Sequence, residues 1–144
     1  MPDKGSIIIL DSDLDDQKLL QELFQQLGVV NKLCFFQDGS EALNYLKTTS
    51  EAPFLIISEI NLIKMNGLEF RRQINSDERL RSKGIPFVFL TDNLDRRNVD
   101  EAYEMMVQGY FIKKHSMSEI KNTLHMVLQY WSEFLHRNST IRLQ

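Results

Sequence analysis

The chain has 144 residues, 42% of them hydrophobic, enough for one compact domain with its own core and no disulfide or metal staple. A formal net charge of −3 and a sequence pI near 5.6 leave no broad basic surface for gripping nucleic acid or an anionic membrane. No apolar stretch reaches the roughly 18 residues of a membrane span, and the run behind Met1 is too short for a signal peptide, so a cytoplasmic protein is expected.

Along the chain, Ile7-Ile8-Ile9-Leu10 is short, mostly β-branched and free of polar residues, the pattern of a strand buried on both faces. Leu19, Leu20, Leu23, Phe24 and Leu27 then recur at helical spacing, with Asp13 placed to cap the start and Gly28 to end it. A second strand follows at Leu33 to Phe36, where the single Cys34 reads as a small packing residue rather than a nucleophile. Asp38-Gly39-Ser40 opens a short helix carrying Ala42, Leu43, Tyr45 and Leu46.

Pro53 precedes a third strand, Phe54-Leu55-Ile56-Ile57, and a loop then leads to one helix carrying Leu68, Phe70, Ile74 and Leu80. Gly84-Ile85-Pro86 opens the strand Phe87-Val88-Phe89-Leu90. Val99, Ala102, Tyr103, Met106 and Val107 share a helical face that Gly109 ends before the strand Tyr110-Phe111-Ile112. Ser116-Met117-Ser118-Glu119 is a capping box for a last helix that buries Ile120, Leu124, Val127, Leu128, Trp131 and Leu135.

Strict alternation of five strands and five helices with short connections requires parallel strands with helices on both faces, a doubly wound α/β sandwich. Residues 1–136 form this domain and 137–144 a short C-terminal tail. In such sheets the functional crevice lies beyond the carboxyl ends of the strands. Asp11, Ser12 and Asp13 arrive there from the first strand, Glu59 and Asn61 from the third, Thr91 and Asp92 from the fourth and Lys113 from the fifth.

These residues, with Asn61-Leu62-Ile63-Lys64-Met65-Asn66-Gly67 and Gly109-Tyr110-Phe111-Ile112-Lys113, resemble the response-regulator receiver family of two-component phosphorelay signalling over nearly the whole chain. The resemblance implies a five-stranded (βα)5 flavodoxin-like receiver fold and a signalling module, not an enzyme. In the family an aspartate after the third strand accepts a phosphoryl group, with Mg²⁺ held by that carboxylate, a loop carbonyl and acids after the first strand. Here the phosphoacceptor position is Glu59, the carbonyl position Asn61 and the two acidic positions Asp11 and Ser12. The phosphoryl-contact positions match Thr91 and Lys113, and the aromatic switch matches Tyr110. The family's loop prolines are replaced by Ile63 and Lys114.

The departures change the expected chemistry. Ser12 removes one negative charge from a site for a hard cation, so Mg²⁺ is expected to bind weakly. Glu59 carries its carboxylate one methylene further, out of line for phosphoryl transfer but towards Lys113 and Thr91, where it can stand in part for a phosphoryl group of about −1.5 to −2 charge. The expected function is thus a stand-alone atypical receiver acting through protein–protein binding. Its expected partners are a sensor histidine kinase, another signalling protein, or a second copy across the face of the fourth helix, fifth strand and last helix.

Plainer readings stand beside this one. Glu59 can be a structural salt-bridge partner of Lys113, and Asp15 and Asp16 are explained as acids at a helix N-terminus. Tyr110 can be half-buried packing, Met105 and Met106 core filler, and His115, His125 and His136 lack metal-ligand spacing. The functional alternatives are a conventional receiver phosphorylated weakly and a flavodoxin-like flavin carrier; the second requires a phosphate-binding loop, where this chain has Asp11-Ser12-Asp13-Leu14-Asp15-Asp16.

Overall fold

The apolar runs become the strands of one parallel sheet in the computed structural model, which describes residues 5–133. In chain order the elements are β1 (Ile7–Leu10), α1 (Leu14–Gln26), β2 (Leu33–Phe36), α2 (Gly39–Thr48), β3 (Leu55–Ser58), α3 (Gly67–Ser76), α4 (Glu78–Ser82), β4 (Phe87–Thr91), α5 (Arg96–Glu104), β5 (Gly109–Ile112) and α6 (Met117–Glu133). The strand order β2-β1-β3-β4-β5 makes β1, β3 and β4 central, and every residue in them is buried. Edge strand β2 is only half-buried, so Cys34 is partly covered rather than fully enclosed, with its Sγ 3.8 Å from the Tyr45 hydroxyl.

Side chains alternate across the pleat, so each strand feeds two cores. Ile8, Leu10, Ile56, Phe87 and Phe89 pack with Ala42, Leu46, Phe70, Ile74, Leu80 and Ala102 from α2 to α5. Ile7, Ile9, Leu55, Ile57, Val88 and Leu90 pack with α1 and α6 through Leu23, Phe24, Leu124 and Trp131. The expected doubly wound sandwich is therefore the observed fold.

The helix expected from Leu68 to Leu80 is in fact two. Asp77 stands between them with extended backbone (φ −93°, ψ 112°), its amide closing α3 on the Gln73 carbonyl and its carboxylate accepting from the Leu80 amide at 3.0 Å to start α4. Local bonds of this kind let aspartate compete with a continuing helix. Leu68, Phe70, Ile74 and Leu80 remain buried across the break, which is why the periodicity alone did not reveal it. The fourth helix of the sequence pattern is accordingly α5, and the last is α6. Ser116 accepts from the Glu119 amide at 3.1 Å at the start of α6, while Leu135 and the tail lie outside the described residues.

At the start of α3, Gly67 lies under the site. Its amide donates to the Ile60 carbonyl at 2.8 Å, and a Cβ there would sit 2.2 Å from the Glu59 carbonyl oxygen and 2.9 Å from the Phe89 ring. Backbone cannot yield cheaply to such a contact. Gly67→Ala is therefore expected to cost about 1–3 kcal/mol, the usual range for overpacking, read as a lowered urea midpoint with unchanged slope. An unchanged midpoint would show that the turn beneath Glu59 adjusts freely.

Candidate functional site

Three site residues are placed by the parallel ladder continuing one residue past the strands. The Asp11 amide donates to the Phe36 carbonyl (2.9 Å), the Glu59 amide to the Leu10 carbonyl (2.8 Å) and the Lys113 amide to the Thr91 carbonyl (2.8 Å). Asp11, Glu59 and Thr91 are buried, at 3%, 6% and 0% exposure. These depths mean that any charge there needs a partner.

Lys113 supplies it. Its Nζ lies 2.7 Å from Asp11 Oδ2, 2.9 Å from Glu59 Oε2 and 3.3 Å from Asp16 Oδ2. The other Glu59 oxygen, Oε1, accepts from the Ile60 amide at 2.8 Å and from the Thr91 hydroxyl. Burial alone would push the Lys113 ammonium down, but the Asp11 and Glu59 carboxylates hold it well above the ordinary lysine range. Burial pushes the Asp11 carboxyl up, outweighing the bonds and charge of Lys113, because one ammonium is shared among several acids.

From Thr91 the contacts run outward. The Thr91 hydroxyl accepts from the Asn93 amide at 3.1 Å, and the Tyr110 hydroxyl donates to the Asn93 carbonyl at 2.6 Å. The half-buried Tyr110 ring packs against Phe89 with centroids 5.9 Å apart, so the packing and switch readings of Tyr110 describe one position. Ser12 and Asn61 meet at the rim, where the serine hydroxyl donates to the Asn61 carbonyl at 3.1 Å.

Expectation and structure part at Asp16, read from the sequence as a helix-dipole acid alone. It reaches Lys113 because it lies one turn after the cap Asp13, whose carboxylate accepts from the Asp15 and Asp16 amides. Gln17 and Gln37 also went unmarked; their amides donate to the Asp11 carbonyl (2.7 Å) and the Ser12 carbonyl (2.9 Å), fixing the β1–α1 loop. Asp92, His115 and His125 are exposed, and His136 lies outside the described residues.

The loop after β3 holds its shape without the family's proline. The Ile63 amide donates to the Gln37 carbonyl at 3.3 Å, the Gly39 amide to the Met65 carbonyl at 3.2 Å, and Lys64 takes a left-handed conformation (φ 60°). Asp38 anchors it from below. Burial raises its carboxyl, but donors from Ser40 and Met65 and the Lys64 ammonium at 3.9 Å bring it below its ordinary value. The peptide bond joining Lys113 to Lys114 is trans.

A divalent cation wants oxygens that are free to turn towards it. Here Asp11 and Glu59 are engaged by Lys113, and the Asn61 carbonyl is engaged by Ser12. Among the described residues no group of three or more His, Cys, Asp or Glu side chains is arranged to hold a metal ion. In this arrangement the oxygens that would hold Mg²⁺ are turned to an internal ammonium and to Ser12. The acids of the β1–α1 loop likewise offer no cradle for a flavin phosphate.

Residues 7–125 match the family model of the response regulator receiver domain. The chain is 30% identical over 129 residues to the probable methanogenesis regulatory protein FilR2 of Methanothrix harundinacea, covering 87% of this chain and 82% of that protein. It is 26% identical over 132 residues to response regulator Rcp1 of Synechocystis, covering 88% of each. Among solved structures, the phosphorylated cyanobacterial phytochrome response regulator RcpA aligns with a TM-score of 0.82 at 25% identity, covering 91% of this chain and 96% of that one. The Mn²⁺-bound form of Rcp1 aligns with a TM-score of 0.80 at 25% identity, covering 97% and 99%. No described helix is long and apolar enough to cross a membrane.

Lys113→Met tests the electrostatic centre, because it leaves buried acids without their cation. A loss of about 3–5 kcal/mol at pH 7 is expected from urea unfolding. Without Lys113 the Asp11 carboxyl rises further above its unfolded value, so the folded state holds the extra proton and the variant loses stability as pH rises through that window. The deficit is expected to be smaller at pH 4.5 than at pH 7.5. A deficit independent of pH would remove Lys113 from the centre of the site.

Proposed function

The chain belongs to the response regulator receiver domain family of two-component signalling, and from that membership we propose that it is an atypical receiver whose output surface is set by Glu59 in place of a phosphoryl group. Its activity on this reading is protein–protein binding, not catalysis. The observation that carries the proposal is the double engagement of one carboxylate: Glu59 binds Lys113 through Oε2 and Thr91 through Oε1, the two positions that contact the phosphoryl group in the family.

Glu59 sits where the phosphoacceptor belongs, but both of its oxygens are turned into internal bonds. With Ser12 at an acidic position and Asp11 held by Lys113, Mg²⁺ binds weakly on this reading, and transfer to Glu59 suffers from both lost metal and displaced geometry. Asp11, Ser12 and Asn61 then keep the family's metal positions without its metal chemistry. A carboxylate offers fewer oxygens and less charge than a phosphoryl group, which makes the mimic partial.

The output path is the chain from Glu59 through Thr91 and Asn93 to Tyr110. It ends on the α5-β5-α6 face, where Tyr103, Met106 and Met117 are 54%, 75% and 50% exposed. Exposed, adaptable methionines and a tyrosine suit a protein partner. We assign this face to a sensor histidine kinase, another signalling protein or a second copy of the chain, in the cytoplasm.

Two measurements test the reading. In Mg²⁺ and acetyl phosphate, the native chain is expected to label at least about a hundredfold more slowly than the Ser12→Asp/Glu59→Asp double variant, the scale of loss from about 1 Å of misplacement. Rapid labelling at Glu59 would favour a conventional, weakly modified receiver instead. In partner capture, Glu59→Gln is expected to lose about tenfold in affinity, since it keeps the shape but not the charge facing Lys113; equal capture by native, Glu59→Asp and Glu59→Gln chains ends the proposal.

A further inference from the structure

Far from Glu59, the amino-terminal ends of β4 and β5 border a groove of about 490 Å³, lined in part by Arg71, Arg81, Ile74, Leu80, Ile85 and Glu104. Arg71, on α3, is the unusual member. It is only 7% exposed, and arginine is almost never buried to that degree unless paired. Among the described residues no carboxylate lies within ion-pair distance of it, and burial pushes its guanidinium down to about 10.

Its bonds account for part of its capacity. Nε donates to the Met105 carbonyl at 3.1 Å and Nη2 to the Met106 carbonyl at 3.0 Å, while the guanidinium lies 5.1 Å above the Phe87 ring centroid. These carbonyls lie at the end of α5, where Met106 takes a left-handed conformation (φ 63°) and its amide and that of Val107 bond back to Tyr103 and Ala102. The negative end of a helix offsets some of the buried charge. A guanidinium has five N–H donors, and among the described residues only these two carbonyls accept from it.

Arg71 lines a groove whose other features point one way. Ile74, Leu80 and Ile85 give it an apolar floor. Arg81, exposed at the lip, donates one N–H to the Asn75 carbonyl at 2.9 Å and has no acidic partner among the described residues. Two arginines with spare donors over an apolar floor match the general form of a binding pocket, with a few placed polar groups in apolar walls. Arginine forks bind carboxylates bidentately. Glu104 on the same wall opposes a second negative charge, which disfavours a phosphate dianion.

We propose that this groove binds a single acidic side chain of a partner protein, an aspartate or glutamate flanked by apolar residues, with Arg71 taking the carboxylate and Arg81 closing over it. The occupant would lie beside Met106 and against the residues that hold the end of α5, giving proteins that engage the α5-β5-α6 face a second contact behind it. Recognition here is separate from Glu59, so its outcome does not depend on how that site works.

The probe is acetyl-Leu-Glu-Leu-amide, titrated into the ¹⁵N-labelled full chain beside its glutamine counterpart and inorganic phosphate. Amide shifts are expected at Arg71, Asn75, Ile85, Met106 and Gln108, with the glutamine peptide at least about tenfold weaker, the difference between a charged and a neutral acceptor. Arg71→Gln should abolish the shifts. Because that change also removes a helix cap, the exposed Arg81→Glu serves as the second variant and should weaken binding severalfold with the fold intact. Equal binding of both peptides, no shifts at these amides, an unaffected Arg81→Glu chain, or tighter binding by phosphate would each overturn the proposal. Glu59→Gln should leave the titration unchanged.

Discussion

One ammonium shared among three carboxylates organises the working end of this protein. Lys113 follows β5, while its partners come from β1, α1 and β3, so elements far apart in the chain converge on a single Nζ. Removing two of those acids from water is costly, and only a cation placed among them can offset the cost. The raised Asp11 carboxyl shows that the offset is incomplete. The fold accepts this tension at the sheet edge because the fully buried strands β1, β3 and β4 hold the backbone in place beneath it.

That anchoring also gives the site its direction. Glu59 and Thr91 stand at the ends of neighbouring buried strands, and their contact needs no movement of either strand. Beyond Thr91, the contacts pass to Asn93, in the loop before α5, and to Tyr110 on edge strand β5. Charge placed at the centre can therefore reach the α5-β5-α6 face through short polar links. At its other end α5 is held by Arg71 and Asn75, whose donors take the Met105 carbonyl at 3.1 and 2.9 Å.

Much of this was legible in the residues. Unbroken apolar runs locate the strands, and the rule that crevices form at their carboxyl ends brings Asp11, Glu59, Thr91 and Lys113 together from the sequence alone. What escaped depends on geometry that spacing does not encode. Asp16 reads as a dipole acid because that role needs only its position in the first turn, whereas its reach to Lys113 depends on how α1 leaves β1. Asp77 was hidden because the apolar face continues across the break. Arg71 gave no signal at all, since an arginine in an amphipathic helix reads as solvated until burial is known.

On the proposed reading Ser12 and Glu59 act as one electrostatic change. A receiver with acids at both positions gathers more negative charge than a lysine can balance, and a divalent cation is what makes that set tolerable. Placing serine at 12 removes one of those charges and turns the residue's hydroxyl onto the Asn61 carbonyl. Extending the acid at 59 by one methylene brings the remaining charge within 2.9 Å of Lys113. On that reading either change alone leaves a mismatch: an extra acid without a metal, or a metal site short of a ligand. On the proposed reading Lys113 stands in for the bound cation and Glu59 for the phosphoryl group, so the residues that define the input and those that define the output are joined through one ion pair.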